Sequence, residues 1–412
     1  MERISAHDVE VLRSLAGTVA ELAARPEQAE KAKLWTLHND LKTSQPLIFC
    51  DPEGGWDEII TNDSLQCEGN MARRWEVTLR KRIFSETVMK DDTVTDNVFL
   101  LRYCFHDDGW GLPVQLEGAG RHTAYHIKSS LEDYERDFEK VHYPSITMDY
   151  AGSENLMTEA KRVFDGLLDV QWHHMWWWSL GLTRQFVDLR GLEEFMVDLA
   201  LEPEWVHRMM ELLCKGALDQ LDFLEEQGLL TQNIGNRYVG SGGFGYTDQI
   251  KPVENGKVTG MDMWGFVESQ ETVSISPDMY AEFIFPYHRR IAERFAMNCC
   301  GCCEPYDLRW KYMKEMPRLR RISISPWADH KTIPVNLGRN YIASIKPNPS
   351  PLALHDMDES AVRAELRSVL ENSVGCVPEL IMKDCHTIGR NPNNPVRWVQ
   401  IAREEIDRIS GI

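Results

Sequence analysis

Four of the chain's ten cysteines stand at Cys299, Cys300, Cys302 and Cys303, with Glu304 directly behind them. Ten cysteines in 412 residues are too sparse for a disulfide scaffold, and these four are too close in sequence to act as ordinary staples. Metal or redox chemistry is the better reading. Zinc is the cation that thiolate and carboxylate donors favour, and a catalytic zinc keeps one position open for substrate or water. Free cysteines also serve as small buried hydrophobes, and Cys299 and Cys300, adjacent on a strand, would face opposite ways. Elsewhere, Glu268 in "WGFVESQET" falls at or just past an apolar run, where a carboxylate can meet a polar group of a substrate. His386 can ligate a metal or protonate a leaving group, with Asp384 placed to steer it. The stretch "HHMWWWSLG" at residues 173–181 offers tryptophans, Trp177 among them, to wall a pocket or stack on an aromatic substrate; such rings also fill cores and interfaces. "YVGSGGFGYTD" lacks the Lys and Ser/Thr of a phosphate loop and reads as a strand end that a ligand can approach closely.

These groups need elements to hold them. Val11, Leu12, Leu15, Val19 and Leu22 recur at helical spacing, and a second helix opens at Pro26. With a probable strand in "NVFLLRYCF" beyond them, residues 1–95 form a mainly helical N-terminal region and residues 96–412 a second unit. In that second unit short apolar runs alternate with amphipathic helices: "SITMDY", "MWWWSLGL", "RYVGSGGF", "MDMWGFVE", "RFAMNCCG", "RRISISPW", "NYIASIKP" and "ELIMKDC". Eight such runs with helices between them predict an α/β fold, a (β/α)8 TIM barrel. "GLEEFMVDLALEPEWVHRMMELLCKGALDQLDFLEEQG" reads as two helices bent at Pro203, and Ser276 can cap the helix that follows it. In a barrel, chemistry belongs at the C-terminal strand ends, and the cysteine cluster ends one of the runs.

The bulk composition narrows the partners. A formal charge of −19 with no long Lys/Arg run disfavours nucleic acid. The first 25 residues alternate charges where a signal peptide needs an apolar stretch, and no later window reads as a membrane span. A cytoplasmic protein is expected.

The second half also resembles a known family. "SPDMYAEFIFPYHRRIAERF" is similar to the Ser-Pro-x-x-Phe-x-x-Phe-x-x-Pro-Tyr helix of the uroporphyrinogen decarboxylase superfamily. "MNCCGCCEP" falls where its cobalamin-dependent methyltransferase branch places a His-x-Cys-Gly strand end. "YIASIKPNPSPLA" and "KDCHTIGRNPNNPVRWV" resemble the later Asn/Pro segment and the closing glycine-rich stretch. The likeness runs from about Asp262 to the C-terminus and more faintly back to about residue 150.

This resemblance implies a barrel of the uroporphyrinogen decarboxylase type and a zinc-dependent methyltransferase. The enzyme would move a methyl group between a small methylated compound (an aryl methyl ether, a methylated thiol or a methylamine) and a corrinoid protein. Carried over position by position, the zinc ligands are Cys300 and the distant Cys385. Asn298 stands at the histidine position and is a poor ligand, so Cys302, Cys303 or Glu304 would complete the set. The assignment is Cys300, Cys303 and Cys385 as ligands, Glu304, His386 and Glu268 as catalytic groups, and Trp264, Asn298, Trp177 and Asp384 as substrate contacts. The chain lacks the Asp-x-His-x-x-Gly cobalamin signature, so a partner corrinoid protein would bring the cobalamin. Homodimers are frequent in the superfamily, and the resemblance extends that expectation here. Uroporphyrinogen itself is disfavoured, because "LWTLHNDLKTSQPLIF" lacks the Arg-Gln-Ala-Gly-Arg segment that pairs its carboxylates. The alternative on the same barrel is a decarboxylase or lyase of a smaller acid, with cations such as Arg184 or Lys346 lining the pocket.

Overall fold

The computed structural model describes residues 3–118, 125–173 and 176–411. Six short runs form its largest sheet: β1 (Leu47–Cys50), β2 (Trp264–Val267), β3 (Met297–Cys300), β4 (Leu319–Ile324), β5 (Ile342–Ile345) and β6 (Val377–Met382). Their order is β1-β6-β5-β4-β3-β2 and every pairing is parallel. Parallel neighbours need crossovers. Helices Pro277–Phe283 and Phe285–Ala292 link β2 to β3, Tyr306–Met313 links β3 to β4, and Glu359–Glu371 links β5 to β6. Ser276 caps the first of these by accepting from Met279 N at 3.1 Å. Pro203 opens Pro203–Gln227 directly after Leu192–Leu201, because proline fits a helix's first turn and breaks its interior.

Alternation along the strands gives the sheet two unlike faces. One packs against the crossover helices through Ile48, Val267, Cys300, Ile322, Ala343, Leu380 and Met382. The other carries Trp264, Phe266, Met297, Cys299, Leu47, Phe49 and Ile381, interrupted by the buried polar residues Arg321, Ser323, Ser344 and Glu379. Helix Pro26–Asn39 and the hairpin of Gly235–Tyr238 with Phe244–Gly245 cover this inner face. Trp35 meets Phe244 edge-on at 5.2 Å, and Asn39 Nδ2 donates to Phe244 O and Tyr246 O, both at 2.7 Å. At its centre Arg321 Nε lies 2.9 Å from Glu379 Oε1, Arg321 Nη2 donates to Asn39 Oδ1 at 2.8 Å, and the guanidinium sits 5.2 Å from the Trp264 ring. An ion pair survives at that depth only with such added partners.

The sheet differs from the expected set of strands in three ways. Among the described residues six strands join it, and "SITMDY" and "RYVGSGGF" instead form short antiparallel pairs at Ile146–Met148 and Gly235–Tyr238. "MWWWSLGL" contains no strand among residues 176–182, its first residue Met175 lying with His174 outside the described residues. Tryptophan and glycine runs carry an apolar signal without the alternation a ladder requires, so the sequence overstates them. The sixth strand is instead "LIFC" at β1, inside the expected N-terminal region and paired with β6 in register Leu47↔Glu379. Both outer edges are blunted without strands. Leu180 N donates to Phe266 O at 3.0 Å beside β2; beside β1, the Asp92 and Asp91 carboxylates accept from Ile48 N at 2.7 Å and Cys50 N at 2.9 Å.

A second apolar core joins helices Ala6–Ala23, Asn70–Phe84 and Tyr150–Phe164 to the parallel pair Val98–Leu101 and Asp169–Trp172, drawing on residues from both sides of position 95. Among the described residues no helix is long and apolar enough to cross a membrane.

Candidate active site

Every strand of the sheet ends in residues capable of chemistry: Glu268 after β2, Cys302 to Glu304 after β3, Ser325 after β4, Lys346 after β5, Lys383 to Cys385 after β6, and Asp51 and Glu53 after β1. Parallel register brings all six ends to one rim. Above it the tryptophan run does wall a cavity, of about 380 Å³, lined by Trp176, Trp177, Trp178, Arg184 and Glu268. Trp177 and Trp178 also border a smaller cavity of about 50 Å³ with Tyr238, Trp264 and Phe266.

Glu268 is only 1% exposed although it lines the larger cavity. Its Oε2 accepts from Gln270 N at 3.0 Å. Burial, then the neighbouring carboxylates Glu271 and Glu304, push its pKa well above the ordinary value. Gly181 presses against its backbone so closely that a Cβ there would collide with the Glu268 carbonyl, which fixes the tryptophan segment against this strand end.

The loop after β3 turns at Gly301, whose φ of +86° suits glycine. Glu304 then reaches back: Oε1 accepts from Ser269 N and Oε2 from Cys302 N, each at 2.9 Å. Both oxygens of this carboxylate therefore tie the β3 loop to the β2 loop. Cys302 is buried, receives Ser241 Oγ at 3.2 Å, and lies 3.7 Å from the Sγ of exposed Cys303. After β6, Lys383 Nζ stands 5.6 Å from the Trp178 ring, 3.6 Å from Glu53 and 3.5 Å from Asp384.

The other sequence-assigned residues divide between this rim and the rest of the fold. Trp177 lines both cavities, and Trp264 lines the smaller one while donating through Nε1 to Gly245 O at 3.2 Å. Asp384 is half-buried at a φ of +60°, its N donating to Glu53 Oε2 at 3.0 Å. His386 is exposed, past the turn. Asn298, expected to touch substrate, instead donates to Ala292 O at 2.9 Å and Pro317 O at 2.7 Å on the helix-packed side. Strand parity decides this: Asn298 shares its face with Cys300, opposite Cys299.

The expected zinc ligands also stand apart. Cys300 and Cys385 are buried in the apolar core of the helix side, whereas Cys303 is exposed at the rim. Three strand steps of about 4.8 Å each part β3 from β6, about 14 Å across the sheet. Burial first, then nearby acids, push the Cys385 thiol up to about 12 and the Cys300 thiol well above its ordinary value, so neither is a ready thiolate. Among the described residues no three His, Cys, Asp or Glu side chains gather as a metal ion requires. These donors do not fit a zinc ion as they stand.

No family model matches the chain, and no curated protein matches it. Its fold is similar to a solved methyltransferase from Methanosarcina mazei. That structure is 12% identical, with a TM-score of 0.51, over 90% of this chain and 96% of that one. At such identity the likeness establishes the fold alone.

Sequence reasoning missed Trp178, Ser241 and Lys383. Lys383 was detectable in part: it follows the wholly buried run "VPELIM", where a lysine is costly without a purpose. Ser241 had no such signal, since only tertiary folding brings it to Cys302.

Proposed function

We propose that the chain is a methyltransferase on a uroporphyrinogen decarboxylase-type (β/α)8 barrel, moving a methyl group between a small methylated compound and a corrinoid protein. The fold's likeness to the methyltransferase from Methanosarcina mazei supports this reading, as do six parallel strands with covered edges. The carrying observation is Glu268, a buried carboxyl flanked by Glu271 and Glu304 that faces a cavity of about 380 Å³ walled by four tryptophans, Trp110, Trp176, Trp177 and Trp178.

The tryptophans exclude water and offer flat faces to an aryl methyl ether. As the bond between methyl carbon and heteroatom breaks, Glu268 passes its proton to the departing oxygen, nitrogen or sulfur, and the carboxylate is left facing Glu271 and Glu304 until a proton returns. Activation of the leaving group falls to Glu268 because Cys300, Cys303 and Cys385 stand apart. A corrinoid brought by a partner supplies the cobalt that accepts or donates the methyl group. Trp178, 42% exposed, offers that partner an aromatic edge.

The test is methylation of free cob(I)alamin by aryl methyl ethers, methylated thiols and methylamines, followed by absorbance. At least one class should yield methylcobalamin with wild-type protein, and Trp177→Ala should raise KM for it. No methylation from any class, with zinc supplied, would refute the proposal.

A further inference from the structure

The buried cations of the sheet's inner side are unevenly paired. Arg321, Lys346 and Lys383 are all buried on or just past its strands, and Glu379 is the carboxylate buried among them. Glu379 is already committed, with Oε1 2.9 Å from Arg321 Nε. Lys383 reaches toward the half-exposed Glu53 and Asp384 at the rim, with both contacts at 3.5 Å or more. Lys346 has no carboxylate in ion-pair contact among the described residues. It is 4% exposed, and its Nζ donates only to neutral groups, Ser344 Oγ at 2.6 Å and Ser344 O at 3.2 Å. A buried ammonium without a counter-ion is costly and calls for an anion. Burial lowers its pKa to about 8, against the opposing pull of the Glu379 carboxylate, with Lys383 and Arg321 adding to the drop.

A second observation comes from the next strand. Ser325 is 0% exposed and its Oγ has no hydrogen-bond partner. Buried hydroxyls are seldom left unpaired. Ser325 follows β4 as Lys346 follows β5; Ile324 and Ile345 are register partners, and Lys346 N donates to Ile324 O at 2.8 Å. The lone hydroxyl and an ammonium with no carboxylate in contact thus stand at adjacent strand ends. Lys383, one strand further, lies 5.6 Å from the Trp178 ring that borders both cavities.

We propose that Lys346, Lys383 and Ser325 form a carboxylate subsite, so that the substrate is a methylated acid with its carboxylate among these three groups and its methyl-bearing end against the tryptophans. The position of the methyl end rests on the methyl-transfer reading, whereas binding of the acid does not. A carboxylate offers two oxygens to the two ammoniums and to the Ser325 hydroxyl, forming charge-assisted bonds and giving Lys346 a carboxylate in direct contact.

Calorimetric titration of the full chain with 4-methoxybenzoate, benzoate and the neutral 4-methoxybenzyl alcohol tests this. Both acids should bind, and Lys346→Met should weaken them roughly 10- to 150-fold, the range for one hydrogen bond to a charged group. The alcohol's affinity should not change. Ser325→Ala, which removes one small group, should weaken the acids by a smaller factor and guards against misfolding of the lysine variant. Acids bound no better than the alcohol, or bound equally by wild type and both variants, would overturn the subsite. Acids bound through Lys346 without methyl transfer to cob(I)alamin would uphold the subsite and remove the reaction reading alone.

Discussion

Glu268→Gln separates proton donation from every other role of this side chain. The glutamine keeps the shape of the protonated acid, and its carbonyl oxygen can still accept from Gln270 N, a 3.0 Å bond in the parent. What it loses is the transferable proton. General acid catalysis contributes about 100- to 10,000-fold, so the rate should fall by that factor, about 3 to 5 kcal/mol of barrier. Stability should move the other way with pH. Burial and the Glu271 and Glu304 carboxylates raise the folded pKa of Glu268 above its unfolded value, so its contribution is full below the unfolded pKa and is lost as pH rises through the folded one. Urea denaturation should show wild type losing stability against the variant across that window, while single-turnover methylation of cob(I)alamin reports the rate. A variant as fast as wild type, or parallel pH–stability curves, would refute the argument.

Two further substitutions probe the scaffold. Arg321→Met leaves Glu379 buried without its guanidinium partner and should cost about 3 to 5 kcal/mol in urea denaturation, with Arg321→Met/Glu379→Leu recovering much of the loss; a double variant no more stable than the single would contradict a dominant charge penalty. Asn298→Ala removes two hydrogen bonds and strands the Pro317 carbonyl, Ala292 O keeping its bond from Arg318, an expected loss of about 1 to 3 kcal/mol with KM unchanged. A raised KM at unchanged stability would restore Asn298 to the substrate.

The five C-terminal strands of the sheet were legible because each is a compact apolar run, and the place of Glu268 was legible because it follows one of them. β1 was not, since four apolar residues in "LIFC" carry no alternation and their partner lies more than three hundred positions away. The expected metal ligands stand apart for a finer reason. Spacing in sequence says that Cys300 and Asn298 share a face, but the sequence alone does not say which face looks inward.

The amino-acid order by itself determined the alternation of strands and helices, the proline break at Pro203, the cap at Ser276 and the presence of an acid at the end of β2, because these depend on local sterics and hydrogen bonding. Only the tertiary structure decided which thiols are buried on the helix side, that Glu304 spends both oxygens on backbone amides, and that Lys346 and Ser325 stand together without a counter-ion. Those facts follow from which strands pair and in what register, a choice made by long-range packing.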